Sequence, residues 1–168
     1  MAFPLTELCS FGVHYHAYSM FLQPCSSLSD LLNRSPLLFW TIILVASQDH
    51  VQFADVHQGV STEHDAILSP ILLRAIQQVE TIHSLLLLCM WPTPQSRHFY
   101  NPAWNYVGLA INAAMKMSCH SPLSPASKTH GWKGLGHIGI NDLSPVDQSR
   151  AWLGCFWIGN VSVMLAEL

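Results

Sequence analysis

A serine followed by a proline, at the mouth of a long apolar run, is the feature that most constrains this chain. Ser35-Pro36 opens the run PLLFWTIILVA, from Pro36 to Ala46. A serine hydroxyl accepts from an otherwise unpaired N–H of a helix's first turn. Proline at the first helical position lacks only an N–H that the helix would not have used. The residues behind this pair, to about Gln48, are apolar on every side, which predicts the most buried helix of the fold. Asn101-Pro102 and Ser144-Pro145 repeat the signature. A chain punctuated this way reads as helices joined at prolines.

The other elements follow from helical spacing. Leu8, Phe11, Tyr15, Tyr18 and Leu22 step by threes and fours onto one face of an N-terminal helix that Pro24 closes. Ser26-Ser27 offer a cap for a short helix through Leu32. The stretch from Asp49 to Thr62 holds no sustained period and is expected to be a loop. A helix follows over Ala66 to Gln77, with Ser69-Pro70 starting or kinking it. Another runs from Glu80 to Trp91 and stops at Pro92-Thr93-Pro94. The helix from Pro102 to Cys119 is amphipathic, with Asn105, Asn112 and Lys116 on its polar face and Trp104, Val107, Ile111, Ala114 and Met115 elsewhere. From His120 the composition turns to Ser, Pro, Gly, Lys and His, which marks 120–143 as the main loop. The last helix begins at Ser144-Pro145, with Asp147 in its first turn, three before Arg150, and carries Trp152, Leu153, Phe156, Trp157 and Ile158. No strand is expected. The fold class is all-α, an irregular array of about six or seven helices forming one domain over 1–168.

Composition narrows the function classes. Half the residues are hydrophobic and 10% are charged, where a soluble domain carries roughly 25%. A core is therefore affordable, and some apolar faces are expected to meet another domain. The seven cations, Arg34, Arg74, Arg97, Lys116, Lys128, Lys133 and Arg150, include no adjacent pair, and the net charge is −3. Nucleic-acid binding neutralises several phosphates at once and calls for a clustered basic face, so no direct nucleic-acid contact is expected. Cys89 and Cys155 lie in apolar runs and read as small buried hydrophobes; five widely spaced cysteines argue against a disulfide framework. The start, MAFPLTELC, is no secretion signal. The runs at Pro36–Ala46 and Leu85–Pro92 fall short of the roughly 18 residues of a membrane span, so no membrane partner is expected.

The chemistry-bearing residues do not assemble into a recognised site. Ten histidines invite a metal, yet no Cys-x-x-Cys and no His-Glu-x-x-His occurs. Cys119, His120, His130 and His137 stand at spacings without a zinc pattern and are read as loop residues. Gly134-Leu135-Gly136-His137-Ile138-Gly139 satisfies G-x-G-x-x-G, but a loop precedes it where a dinucleotide site needs a strand. Asp49-His50 and His64-Asp65 are each half a triad with no nucleophile attached. No catalytic, cofactor-binding, metal or DNA-binding residue is assigned, and no enzyme activity is expected. The tryptophans Trp40, Trp91, Trp104, Trp152 and Trp157 are read first as core. A small-molecule pocket between the Trp104 and Trp152 helices is the alternative.

Five segments, taken in order, resemble the fungal-specific transcription factor domain, the middle homology region of zinc-cluster regulators. They are VHYHAYSMFLQP (Val13 to Pro24), SPLLFWTIILVASQ (Ser35 to Gln48), ETIHSLLLLCMWPTP (Glu80 to Pro94), NPAWNYVGLAINAAMKMSCH (Asn101 to His120) and SRAWLGCFWIGN (Ser149 to Asn160). Within the family the likeness leans toward regulators of leucine biosynthesis and secreted proteases. Ala17 and Met20 stand where the family often has prolines, and Ser118-Cys119-His120 replaces its usual Gly-Leu-His. The six-cysteine zinc cluster is not in this chain, and family members continue past Leu168, so the resemblance implies a truncated domain. It further implies a nuclear role in transcription by RNA polymerase II and zinc as a cofactor of intact members only. The implied partners are other transcription-factor domains or co-regulators, a second copy, or a small-molecule effector. A metabolite-binding helical module and a gene fragment without function are the alternatives to this reading.

Overall fold

The computed structural model describes residues 19–22, 28–48, 54–92, 102–121 and 144–166. Among them lie six α-helices and no strand: α1 Leu28–Arg34, α2 Pro36–Ser47, α3 Ala54–Leu72, α4 Val79–Met90, α5 Ala103–Lys116 and α6 Pro145–Ala166. The all-α expectation holds. The expected helix over Leu8–Leu22 lies almost wholly outside the described residues, as do Asn101 and most of the 120–143 loop with its glycine motif. Of the N-terminal stretch, Phe21 and Leu22 are described, in a turn, and both are buried.

The Ser-Pro starts behave as local chemistry dictates. Ser35 sits in extended backbone (φ −150°, ψ 91°), and its Oγ accepts from the Leu38 N–H at 3.3 Å. At α6, the Ser144 hydroxyl accepts from the Asp147 N–H at 3.1 Å and donates to the Asp147 carboxylate at 2.8 Å. The acidic side chain thus closes a reciprocal cap on the positive end of the helix dipole. α5 starts one residue later than expected: Pro102 is itself the cap residue, and its carbonyl accepts from the Tyr106 N–H.

α4 forms the centre, packing against α2, α5 and α6, while α2 also holds α1 and α3. α2 and α4 run parallel. Arg34 and Glu80 pair at 3.3 Å across their N-terminal ends, and Gln48 Nε2 donates to the Trp91 carbonyl across their C-terminal ends. Ten of the twelve residues of α2 are buried, matching the expectation that it is the most enclosed helix. Four consecutive leucines, Leu85 to Leu88, cover every side of α4, which suits a helix with neighbours all round. Hydroxyls inside these helices return to their own turns: Thr41 to the Leu37 carbonyl, Ser47 to Leu44 and Ser84 to Glu80. Their polar atoms are therefore satisfied without breaking the core.

α3 corrects the sequence reading. The stretch taken as loop, Asp49 to Thr62, is helical from Ala54, and the helix expected to reach Gln77 stops at Leu72. Its inward stripe is His57, Val60, His64, Ile67, Leu68 and Ile71. Two of those positions are histidines, which a polar–apolar pattern scores on the wrong side. Burial against α2 makes them core, and the Ser47 hydroxyl meets His57 Nδ1 at 2.8 Å. Pro70 neither starts nor ends the helix. It lies in the last turn, where it denies the Ala66 carbonyl its helical N–H, and the helix ends two residues on at Leu72.

The end of α5 carries a backbone exception. Ser118 has φ 57°, the left-handed region that glycine favours. Its N–H donates to the Met115 carbonyl, and the Cys119 N–H reaches back to Ala114 at 2.9 Å. This pair of bonds is the Schellman stop, with the buried Cys119 and Ala114 at its two apolar positions.

Candidate functional site

On the described surface, α5 and α6 share a concave feature. α5 contributes Trp104, Val107, Gly108 and Ile111, and α6 contributes Trp152, Cys155, Phe156, Gly159 and Asn160. Both sets repeat at three and four residues, so each is a single helical stripe. The stripes face each other across an open groove of about 400 Å³. Its position is the one expected for a pocket between the Trp104 and Trp152 helices.

Glycine sets the approach of α6 to its neighbours. A Cβ at Gly154 would lie 2.9 Å from Leu86 Cδ1 and 3.0 Å from Phe21 Cβ and Cγ, so only glycine lets α6 settle on α4 there. A Cβ at Gly159 would meet Ile111 Cδ1 at 3.4 Å and Val107 Cγ1 at 4.0 Å, both on α5. At Gly108 a Cβ would meet nothing within 4 Å, because that position faces the open groove.

Aromatic residues line the groove and continue past it. The core reading of the tryptophans holds for Trp40, Trp91 and Trp152, which pack half-buried against the core, and fails for the others. Trp104 is 57% exposed and Trp157 43%, because their helix positions turn away from α4. On α6, Phe156 and Leu153 are each 63% exposed, while Ala151, Gly154, Cys155 and Ile158 face inward. α6 is therefore apolar on two opposite sides and covered on one. The ring of His120 meets Trp152 edge-on, with centroids 5.7 Å apart, and so supports one groove wall. Asn160, in the lining, donates one Nδ2–H to the Phe156 carbonyl at 2.6 Å, which leaves its second N–H and its Oδ1 for other partners.

The remaining reactive groups are held in unreactive states. Burial pushes the Cys89 and Cys155 thiols up to about 12, and the Cys89 thiol donates to the Ala103 carbonyl at 3.3 Å. Cys119 is raised by burial as well. A thiol that stays protonated is a poor nucleophile, so the reading of Cys89 and Cys155 as small hydrophobes stands. His64 Nδ1 lies 3.2 Å from the Asp65 carboxylate, so this half-triad does form. Its Nε2, however, is buried without a hydrogen bond among the described residues, and no hydroxyl or thiol is offered to it. His83 is likewise buried, its Nε2 unbonded and its ring 5.6 Å from that of Phe21; desolvation lowers it to about 4. Among the described residues no three His, Cys, Asp or Glu side chains converge on one point, and no helix is long and apolar enough to cross a membrane. His130 and His137 lie outside the described residues.

Comparison with known proteins adds what the geometry alone leaves open. The model of the family described as "Fungal specific transcription factor domain" matches residues 11–163. Among curated proteins, the transcriptional regulatory protein SEF1 of Candida albicans is 26% identical over 132 residues, covering 79% of this chain and 13% of that protein. The SEF1 proteins of Kluyveromyces lactis and Saccharomyces cerevisiae are 25% and 24% identical, over 81% and 77% of this chain and 12% and 11% of theirs. The chain thus spans only about an eighth of the length of these relatives. They carry the SEF1 name and not one from leucine biosynthesis or secreted proteases, the subgroup suggested by the segments. No solved structure matches.

Proposed function

This chain belongs to the fungal specific transcription factor domain family, and on that premise we propose that it is a regulatory and interaction module acting in the nucleus, in transcription by RNA polymerase II. The carrying observation is the family match over residues 11–163, nearly the whole chain. The domain contacts partners through the aromatic side of α5 and α6 and leaves DNA to a zinc cluster outside this chain. It is not an enzyme. The raised thiols and the isolated His64–Asp65 pair support that reading, because neither supplies an activated nucleophile.

The test is tethering. The chain is fused to an unrelated DNA-binding domain, and reporter output is compared with that domain alone in a fungal nucleus. A change of severalfold in either direction is expected, and Trp157→Ser on the exposed side of α6 should cancel it while leaving the melting temperature in place. Output identical to the bare DNA-binding domain would overturn the regulatory role. Specific, salt-sensitive retardation of DNA by the chain alone would overturn the claim that it leaves DNA to other residues.

A second reading, regulation by a small-molecule effector, is favoured by one observation: the α5–α6 groove lies within the roughly 300–1,000 Å³ range of ligand sites.

A further inference from the structure

We propose that the turn at residues 19–22 is a proton-operated latch: neutral His83 seats Phe21 between α4 and α6, and protonation of His83 releases it while the helices stay folded.

The turn is built to leave as a unit. The Leu22 N–H donates to the Ser19 carbonyl at 2.9 Å, which closes the turn on itself. Met20 is 73% exposed, so the turn lies at the surface, while Phe21 and Leu22 are inserted beneath it. Phe21 occupies a seat where α6 has no side chain. Its Cβ and Cγ stand 3.0 Å from the place that a Cβ of Gly154 would take, and Leu86 Cδ1 of α4 stands 2.9 Å from the same place. A surface turn held by two inserted side chains belongs to the low-stability end of a fold, where local opening precedes global unfolding.

His83 supplies the proton dependence. Its ring lies 5.6 Å from that of Phe21, and its Nε2 is buried with no hydrogen-bond partner among the described residues. A neutral imidazole can keep one nitrogen dry; an imidazolium carries two N–H donors and needs a partner for each. The surroundings offer that cation little. Desolvation acts most strongly against it; Asp147 of α6 favours it, and Arg34 at the end of α1 and Arg150 of α6 oppose it. The Asp147 carboxylate already accepts from Ser144, and Glu80, one turn before His83, is paired with Arg34 at 3.3 Å. α2 and the turn itself carry no charged side chain, and α5 brings Lys116 in its last turn. Once Phe21 withdraws, water reaches the ring and solvates the charge.

Proton linkage sets the direction of the response. The seated state holds His83 at about 4, and the released state returns it to its ordinary 6.5. Release is therefore constant above pH 6.5 and grows as pH falls toward 4, by about fourfold from pH 7.5 to 6 and about 25-fold from pH 7.5 to 5. Release uncovers Leu86 and Gly154, and so adds to the apolar surface that α6 already exposes through Leu153 and Phe156.

The experiment is amide hydrogen exchange of the full chain, resolved by NMR and corrected for the intrinsic pH dependence of exchange. The Leu22 N–H reads the latch, and the amide of Ile43, buried in the middle of α2, reads global unfolding. Leu22 should be less protected than Ile43 at every pH, and its protection should fall about fourfold by pH 6 and about 25-fold by pH 5. His83→Leu should flatten that fall, while His64→Leu, which removes the buried histidine of α3, should leave it intact. In Phe21→Ala the His83 ring, followed by its own carbon-bound proton signal, should titrate well above its value in the parent.

Equal protection of Leu22 and Ile43 would mean that the turn opens only with the whole fold, and the latch falls. Leu22 protection that does not change with pH, or that changes as much in His83→Leu as in the parent, would overturn the role of His83. An unmoved His83 titration in Phe21→Ala would show that Phe21 does not keep water from the ring, and the coupling between the two would fall.

Discussion

Replacing Ser118 by glycine should make this protein more stable, although the change removes atoms and adds no contact. Ser118 holds φ 57° because the Schellman stop of α5 demands it. A residue with a Cβ in that region suffers roughly 1–2 kcal/mol of steric conflict with its own backbone. Glycine relieves the conflict but gives up about 0.5–1 kcal/mol through its greater freedom in the unfolded chain. The Ser118 side chain is exposed, and its backbone carbonyl, which accepts from the Ser121 N–H, is unchanged by the substitution. The net gain is about 0.5–1 kcal/mol, or a rise in Tm of roughly 1–4 °C for a domain of this size. Thermal unfolding followed by circular dichroism measures it, with urea midpoints as the independent check. Ser118→Val provides the opposite arm: a β-branched side chain at positive φ should lose about 1 kcal/mol or more. A Ser118→Gly protein no more stable than the parent, beside a Ser118→Val protein no less stable, would refute the reasoning. The same argument explains the family's usual Gly-Leu-His at this point: its glycine falls on the left-handed position, which this chain fills with serine.

The other predictions concern caps, glycines and pH. Ser35→Ala removes the acceptor for the Leu38 N–H at the start of α2 and should cost about 1 kcal/mol in urea unfolding. Two glycine-to-alanine changes should differ in sign. Gly59→Ala, with nothing within 4 Å, gains about 0.5–1 kcal/mol; Gly154→Ala, driven against Leu86 and Phe21, loses about 1–3 kcal/mol. Acid should destabilise the fold through His83. Burial holds it near 4 against an ordinary 6.5, with Arg34 and Arg150 lowering it further and Asp147 opposing them. The unfolded chain therefore takes up a proton below pH 6.5 that the folded chain refuses until about pH 4. The contribution is complete above pH 6.5 and is lost as pH falls toward 4, by at most about 3 kcal/mol. His64, also lowered by burial, acts in the same direction. Urea midpoints at pH 7.5, 6 and 4.5 should fall steeply for the parent and less for His83→Leu; equal slopes would remove His83 as the cause.

Local chemistry was readable from the sequence wherever neighbours along the chain settle the outcome. Ser35-Pro36 and Ser144-Pro145 start helices because the hydroxyl and the backbone N–H that need each other are three residues apart. The unbroken apolar run of α2 and the leucines of α4 require burial on all sides, whatever surrounds them. The five ordered segments pointed to the family for the same reason: each is a continuous stretch.

Tertiary contacts decided the rest. The inward stripe of α3 passes through His57 and His64, and only the Ser47 hydroxyl and the apolar wall of α2 turn those histidines into core. Periodicity missed the part of α3 before Ala66, which holds both histidines, because the polarity of a histidine is set by its surroundings and not by its identity. α6 shows the converse. Its apolar residues surround the helix, so the pattern named no face. The single-atom space at Gly154 fixed which side meets α4, and that choice left Leu153, Phe156 and Trp157 outward. The groove is walled by one stripe of α5 and one of α6, a relation between two distant stretches that sequence spacing alone does not encode.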